Sequence, residues 1–273
     1  MVRLYAMLVT KDDADVIVEV VEHALGFCDK IVQLDNCSSD GTWELVAEVS
    51  ARHPGRVVQL RQFDEPFYDG IRSEIYNAFH TELGDGWWMM LAPDEMMDGD
   101  PRPRLAEAEA AGADAVMCWM AQFVFTDADR RRWESGRVDA TAPIRARIRS
   151  YRVDWREFRF FRNDPDRGWD DPDLYLPRPE AEWAVHRRLG MLLHYQYRTP
   201  EQIQHRIDLR YGRFAHVASP DWTDYVRPAW RYSAYRGGPI RTTGAWYWAL
   251  RIRQKWEQLR GAGAPDSAVK RAS

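Results

Sequence analysis

Apolar runs that stop at a polar or acidic residue set the rhythm of the first third of this chain. Val2 to Val9 is the first run. After it Val16, Ile17, Val20, Val21, Ala24 and Leu25 recur at helical spacing, with Asp12 or Asp13 placed to cap the helix and Gly26 to close it. Lys30 to Asp35 predicts a second strand, and Gly41 to Arg52 a helix with Trp43, Val46 and Val49 inward. Arg56 to Leu60 predicts a third strand, Asp69 to Leu83 a third helix and Trp87 to Leu91 a fourth strand. Strands alternating with helices of this length predict an α/β fold whose parallel sheet has right-handed crossovers.

The pattern loosens further on. Asp114 to Met120, Glu157 to Phe161 and the run Leu189 to Leu193 read as buried strands, and Thr126 to Pro143 as a polar loop-and-helix excursion. Asn163 to Pro179, rich in proline and aspartate, has the composition of a mobile loop over a cleft. Thr199 to Arg213 predicts a helix with Thr199 as cap and Pro200 at its first position. From Asp221 to Trp256 five tryptophans (222, 230, 246, 248 and 256) interleave with Tyr and Arg. They predict a packed helical cap, with an aromatic platform or an oligomer contact as alternatives. The expected organisation is one α/β domain over 1–215, an aromatic helical extension over 216–260 and a disordered tail over 261–273.

Composition narrows the partners. A length of 273 residues suits one large α/β domain with a small elaboration, and 45% apolar residues is ordinary for a globular chain. A formal net charge of −4 argues against general nucleic-acid binding. The arginines from Arg145 to Arg162 divide evenly between two readings, a solvated face and a site for a diphosphate or acidic acceptor. Cys28, Cys37 and Cys118 show neither metal spacing nor a disulfide framework. No signal segment or membrane-length apolar run is evident, so a cytoplasmic protein without stable membrane insertion is expected.

The chemistry concentrates at strand ends. Asp35 opens the turn Asp35-Asn36-Cys37-Ser38-Ser39-Asp40-Gly41-Thr42, and Trp87 to Leu91 runs into Ala92-Pro93-Asp94-Glu95. In an open parallel sheet these ends face one ligand crevice, so two acids there with a polar turn point to a nucleotide site.

These segments resemble family 2 glycosyltransferases of the GT-A fold. Leu8 to Thr42 is similar to the opening of that family, and Ala92-Pro93-Asp94-Glu95 falls where it carries an Asp-x-Asp metal motif. His194-Tyr195-Gln196-Tyr197-Arg198-Thr199-Pro200-Glu201-Gln202 resembles the His-x-Tyr-x-Arg-Ser-Pro-Glu-Gln segment of a bacterial subgroup. The resemblance spans roughly residues 3 to 205. It implies a Rossmann-like, mostly parallel sheet flanked by helices, and an inverting transfer from a nucleotide-diphosphate sugar, UDP preferred over GDP, to a small-molecule or glycan acceptor. Asp35, the backbone near Thr10 and the side chain of Asp12 would form the nucleoside pocket. Arg72 would meet a phosphate, and Asp94, Glu95 and His194 the ribose-diphosphate or a Mn2+ or Mg2+ ion, with Asp94 and His194 as metal ligands. Among Asp170, Asp171, Asp173, Glu180 and Glu182, Glu182 and Asp171 rank first as the catalytic base.

Two departures shape the expectation. Lys11-Asp12 stands where the family has Asn-Glu, and Ala92 replaces the first acid of the metal motif. Metal-independent transfer is therefore open. The alternatives are a sugar-phosphate nucleotidyltransferase, weakened because Leu8 to Asp13 has no glycine, and a nucleotide-sugar-binding protein without turnover.

Overall fold

The computed structural model describes residues 2–211, 219–237, 240, 252 and 256. The chain forms two compact units, Met1–Met120 with Asp154–His194, and Ala121–Val153 with Tyr195–Ser273.

The first unit begins as the apolar pattern predicts. Strands β1 (Leu4–Thr10), β2 (Lys30–Asp35), β3 (Val57–Gln62) and β4 (Trp87–Leu91) alternate with helices α1 (Ile17–Leu25), α2 (Thr42–Arg52) and α3 (Arg72–Leu83), the last entered through a 3-10 turn over Asp69–Ile71. Helix α1 starts differently from expectation: its first amides go to the Asp13 carbonyl, and no side chain caps it. The remaining pieces of this unit are β5 (Glu95–Met97), α4 (Arg102–Ala110), the start of β6 (Ala115–Phe123), most of β7 (Ser150–Arg162) and β8 (Val185–His194).

The sheet runs β3-β2-β1-β4-β7-β6-β8-β5. Its pairs β3–β2, β2–β1 and β1–β4 are parallel, whereas β4–β7 and β5–β8 are antiparallel. The α/β class holds: the first four strands are parallel to one another, and β7 and β8 bring antiparallel pairs. An apolar run looks the same in either direction; only the connection between two strands sets it.

Side chains alternate across the strands. Tyr5, Met7 and Val9 share one core cluster with Val32, Leu34, Trp88 and Met90, covered by Ile75, Tyr76 and Leu83 of α3. Alternation leaves Leu4, Ala6 and Leu8 to the opposite face, and they too are fully buried. The segment expected as a mobile loop over a cleft contributes to this core. Its Trp169 and Leu176 are buried in the same cluster, as is Trp183 just beyond it, and Asn77 of α3 exchanges two hydrogen bonds with the Trp169 backbone, at 2.8 and 3.0 Å.

The approach of that segment to the 3-10 turn is close enough to require glycine. A Cβ on Gly70 would lie 1.7 Å from the Pro172 carbonyl oxygen. Because the obstacle is backbone, Gly70→Ala should destabilise the chain by at least the 1–3 kcal/mol typical of overpacking, roughly, read as a lower urea midpoint.

In the second unit, α5 (Asp127–Glu134) opens on a capping box in which Thr126 and Asp129 satisfy each other's amides. It is followed by the single turn α6 (Ile144–Arg147), and α7 (Pro200–Tyr211) begins with the Thr199 hydroxyl accepting the Gln202 amide at 3.2 Å. Between Asp221 and Ala234 the aromatic segment is mostly turns, while Ile252 and Trp256 are helical. It forms 3-10 turns over Trp222–Tyr225 and Ala229–Arg231 and a two-residue strand, β9 (Ser233–Ala234), paired with β7. Trp222 packs edge-on to Phe125, while Trp230 and Trp256 are more than half exposed. Trp246, Trp248 and the expected tail from 261 lie outside the described residues. Among the described residues no helix is long and apolar enough to cross a membrane.

Candidate functional site

Register fixes what meets at the sheet edge. Thr10 is opposite Asp35 and Asp35 opposite Gln62, while Leu8 is opposite Leu91. The C-terminal ends of β1, β2, β3 and β4 therefore share one edge, which carries Thr10 to Asp12, the turn after Asp35, and Ala92 to Glu95.

The turn after β2 is zipped to the loop after β1. The Asp12 amide donates to Ser38 Oγ and the Ser39 amide to Asp12 Oδ1, at 2.9 and 2.7 Å. The Asp13 amide donates to Thr42 Oγ1 at 2.8 Å, and the Ala14 amide to Asp40 Oδ2 at 2.9 Å. Gly41, at φ 93°, supplies the left-handed step into α2. Asp12 adopts φ 53°, a region aspartate tolerates when its side chain bonds locally. Lys11 Nζ reaches the Cys37 carbonyl at 2.8 Å. The residues that make this stretch recognisable thus hold its backbone.

Asp35 is the centre of that arrangement. It is fully buried, and Oδ1 accepts from the Thr10 and Ser38 hydroxyls, each at 2.6 Å. Oδ2 accepts the Ser38 amide at 2.8 Å and Gln62 Nε2 at 3.0 Å. Four donors fill the four acceptor positions of the carboxylate. Asp35→Asn would turn an amide against two of them and should cost about 1–3 kcal/mol of stability, seen as a lower melting temperature.

The second half of the edge is a tight turn. The Glu95 amide donates to the Ala92 carbonyl at 3.2 Å with Pro93 at the position that presets the bend. Glu95 Oε2 returns to the Ala92 amide at 3.2 Å. The β5–β8 ladder places Glu95 opposite His194, so the neighbouring Asp94 meets the His194 ring, Oδ2 to Nε2 at 3.3 Å. Asp94 and Glu95 are almost fully buried and His194 slightly exposed.

Behind Glu95 lies Arg159, one of the run of arginines from Arg145 to Arg162. Arg159 Nη2 bonds Glu95 Oε1 at 2.6 Å and Glu157 Oε2 at 2.7 Å, and Nη1 reaches the Met90 carbonyl at 3.5 Å. Its Nε is buried with no partner among the described residues. Burial raises the Glu95 carboxyl above the ordinary range, partly offset by the Arg159 and His194 charges. Burial acts to lower Arg159, yet the carboxylates of Glu95 and Glu157 keep it above its ordinary value. Of this network only Glu157 reaches solvent appreciably, at 33% side-chain exposure. The arginine divided between two readings above follows neither, because it serves a buried carboxylate of its own chain.

The other expected residues have partners of their own. Arg72 is buried, ion-paired to Asp69 at 2.9 Å and set over the Phe67 ring, with its Nε unpartnered among the described residues. Glu182 is half exposed and faces Arg167 at 3.6 Å. Asp171 is exposed, its Oδ1 accepting the Asp173 amide at 3.0 Å. Cys28 and Cys118 are buried, and burial pushes the Cys118 thiol up to about 12; Cys37 is exposed.

Among the described residues no group of three His, Cys, Asp or Glu side chains is placed to hold a metal ion. Asp94 and His194 supply two donors at a separation that suits neighbouring positions on one small divalent cation, with ligand bonds near 2.1 Å. Both Glu95 oxygens are already engaged.

An α/β sheet with acidic and hydroxyl side chains gathered at the ends of its parallel strands belongs to the class that binds ligands at that edge. Neither a family model nor a curated protein matches the chain. Among solved structures it is similar to the mannosyltransferase PcManGT from Pyrobaculum calidifontis, in complex with GDP-Man and Mn2+, at 15% identity over 99% of this chain and 76% of that one, TM-score 0.42. It is similar to S. aureus TarS 1-349 in complex with UDP at 15% identity and TM-score 0.32, covering 45% of this chain and 35% of that one. A further likeness, to a Bacillus anthracis glucose-1-phosphate thymidylyltransferase described as putative, has 10% identity and TM-score 0.33 over 47% of this chain and 58% of that one. That match spans about a third of the UDP-bound TarS chain. All three likenesses are partial, and the functional reading rests on this chain's own residues.

Proposed function

We propose that the chain is a glycosyltransferase that moves a sugar from a nucleotide-diphosphate sugar, UDP-linked in preference to GDP-linked, to a small-molecule or glycan acceptor with inversion. The observation that carries this reading is the meeting of Asp94 and His194, one hundred residues apart in the chain, beside the edge that holds the Thr10–Asp35 turn. Each belongs to a different motif of the resemblance, and the β5–β8 register joins them.

In this reading the zipped turn receives the nucleoside, with Asp35 fixing Thr10 and Ser38 and with Asp12 fixing Ser39. Asp94 and His194 address the ribose-diphosphate, and Arg72 a phosphate oxygen once its Asp69 contact is exchanged. Where Mn2+ or Mg2+ takes part, Asp94 and His194 would hold it, the diphosphate and water completing its shell, and it would offset charge on the leaving group. Ala92 favours a second reading, donor binding without turnover, because the usual first acid is missing.

A thermal-shift panel of UDP and GDP with and without Mn2+ and Mg2+ tests the site. A bound nucleotide raises the melting temperature by mass action. No shift with either nucleotide under any metal condition removes the proposal. Binding without release of nucleoside diphosphate from a sugar donor selects the second reading.

A further inference from the structure

The acidic candidates ranked from the sequence, Glu182 and Asp171, are tied into local contacts of the segment before β8. Glu157 is differently placed. In the β4–β7 ladder Trp87 is opposite Arg162 and Met89 opposite Phe160. The ladder ends at Met89 and Phe160, and Glu157 lies three residues before Phe160 in β7. Trp155, Glu157 and Arg159 occupy alternate positions of β7 and so share a face of the strand. Arg159, on that face, reaches Glu95 in the turn that carries Asp94.

The carboxylate is oriented before any ligand arrives. Trp155 Nε1 donates to Oε1 and Arg159 Nη2 to Oε2. One donor on each oxygen leaves a further acceptor position on each. The charge balance also matters: one guanidinium lies between two carboxylates, Glu95 and Glu157, so Arg159 neutralises only one equivalent. Glu95 is enclosed and has both oxygens engaged, while Glu157 is one-third exposed.

We propose that Glu157 is the catalytic base of this protein, a role that rests on the glycosyl-transfer reading above, with Arg159 as the positioning residue that fixes it relative to the Asp94 turn. The acceptor oxygen forms a bond to the anomeric carbon as the bond from that carbon to the diphosphate oxygen breaks. The electron pair of that bond leaves with the nucleoside diphosphate, and the acceptor's proton passes to a Glu157 oxygen.

The test uses the full chain with UDP-glucose and GDP-mannose as donors and water as acceptor. It measures nucleoside diphosphate released, and binding of UDP and GDP by calorimetry. Glu157→Gln keeps the side chain's size and an oxygen for Arg159 but takes no proton. It should cut release by about 10²–10⁴-fold, the usual scale for a lost general base, and leave nucleotide affinity within about twofold. Release by Glu157→Gln within about threefold of wild type, or a parallel loss of nucleotide binding, overturns the assignment. So does a Glu182→Gln or Asp171→Asn variant that loses release while Glu157→Gln keeps it. If the wild type binds a nucleotide but releases none from either donor, the base assignment falls and the binding site stands. If it neither binds nor releases, the glycosyl-transfer reading falls and takes this inference with it.

Discussion

Arg159→Met should lower the free energy of unfolding by about 3–5 kcal/mol, the range for removing one partner of a buried ion pair. The guanidinium is 8% exposed and Glu95 1%, so solvent screens neither. Without Arg159, Glu95 keeps the Ala92 amide but loses its ion-pair partner. Urea unfolding at pH 7 measures the loss. Two further results belong to the same mechanism. Replacing both partners with apolar residues, Glu95→Leu with Arg159→Met, should recover part of the loss, because the buried carboxylate leaves with its cation.

The second result is a pH dependence. The Glu95 carboxyl is raised by burial from an ordinary value of 4.5. Below that value it is protonated in both the folded and the unfolded chain, and its ionisation costs nothing. As pH rises, the unfolded chain ionises first, so stability falls until the pH passes the raised value of the folded state. Removing Arg159 takes away a charge that opposes the rise and extends this window upward. The difference in stability between wild type and Arg159→Met should therefore shrink as pH is lowered towards 4.5. A difference that stays constant with pH assigns the loss to packing instead.

The elements nearest this network show what sequence patterns carry and what they leave out. Lys30–Asp35 and Trp87–Leu91 coincide with their expected strands: the first is apolar but for Gln33 between Lys30 and Asp35, the second an unbroken apolar run between Gly86 and the Ala92-Pro93 turn. Strand β5 has three residues, too few for any period, and exists because it pairs with β8. That pairing brings His194 to Asp94, so the motif order was legible while the contact was not. Arg159 was hidden for a related reason. It sits in a run of arginines that divides between a solvated face and an anion site, and its buried partner Glu95 is sixty-four residues away. The one local signal was the alternation of Glu157 and Arg159 with Phe158 and Phe160, opposite charges two apart on a single strand face. The segment from Asn163 to Pro179 misled for the opposite reason. Its prolines and aspartates masked Trp169 and Leu176, and these two apolar side chains decide where it lies.

Asp94→Ala and His194→Ala should each reduce release of nucleoside diphosphate from a sugar donor by about 10²–10³-fold, the scale for losing one preorganised group at the departing charge. The two residues touch each other, so their effects should not add: the double variant should lie close to the worse single one. Arg72→Ala separates diphosphate chemistry from support of the fold. Its guanidinium already contacts Asp69 and the Phe67 ring, so a purely structural residue would lower the melting temperature and leave turnover near normal in the folded fraction. A phosphate-binding residue would instead lose turnover on the scale of Asp94→Ala with a smaller change in melting temperature. Measuring melting temperature, UDP and GDP affinity and release rate on the same three preparations decides among these outcomes. If Asp94→Ala and His194→Ala keep wild-type release, the departing diphosphate lies elsewhere than beside this pair. If only Arg72→Ala keeps it, the site stands and Arg72 belongs to the fold.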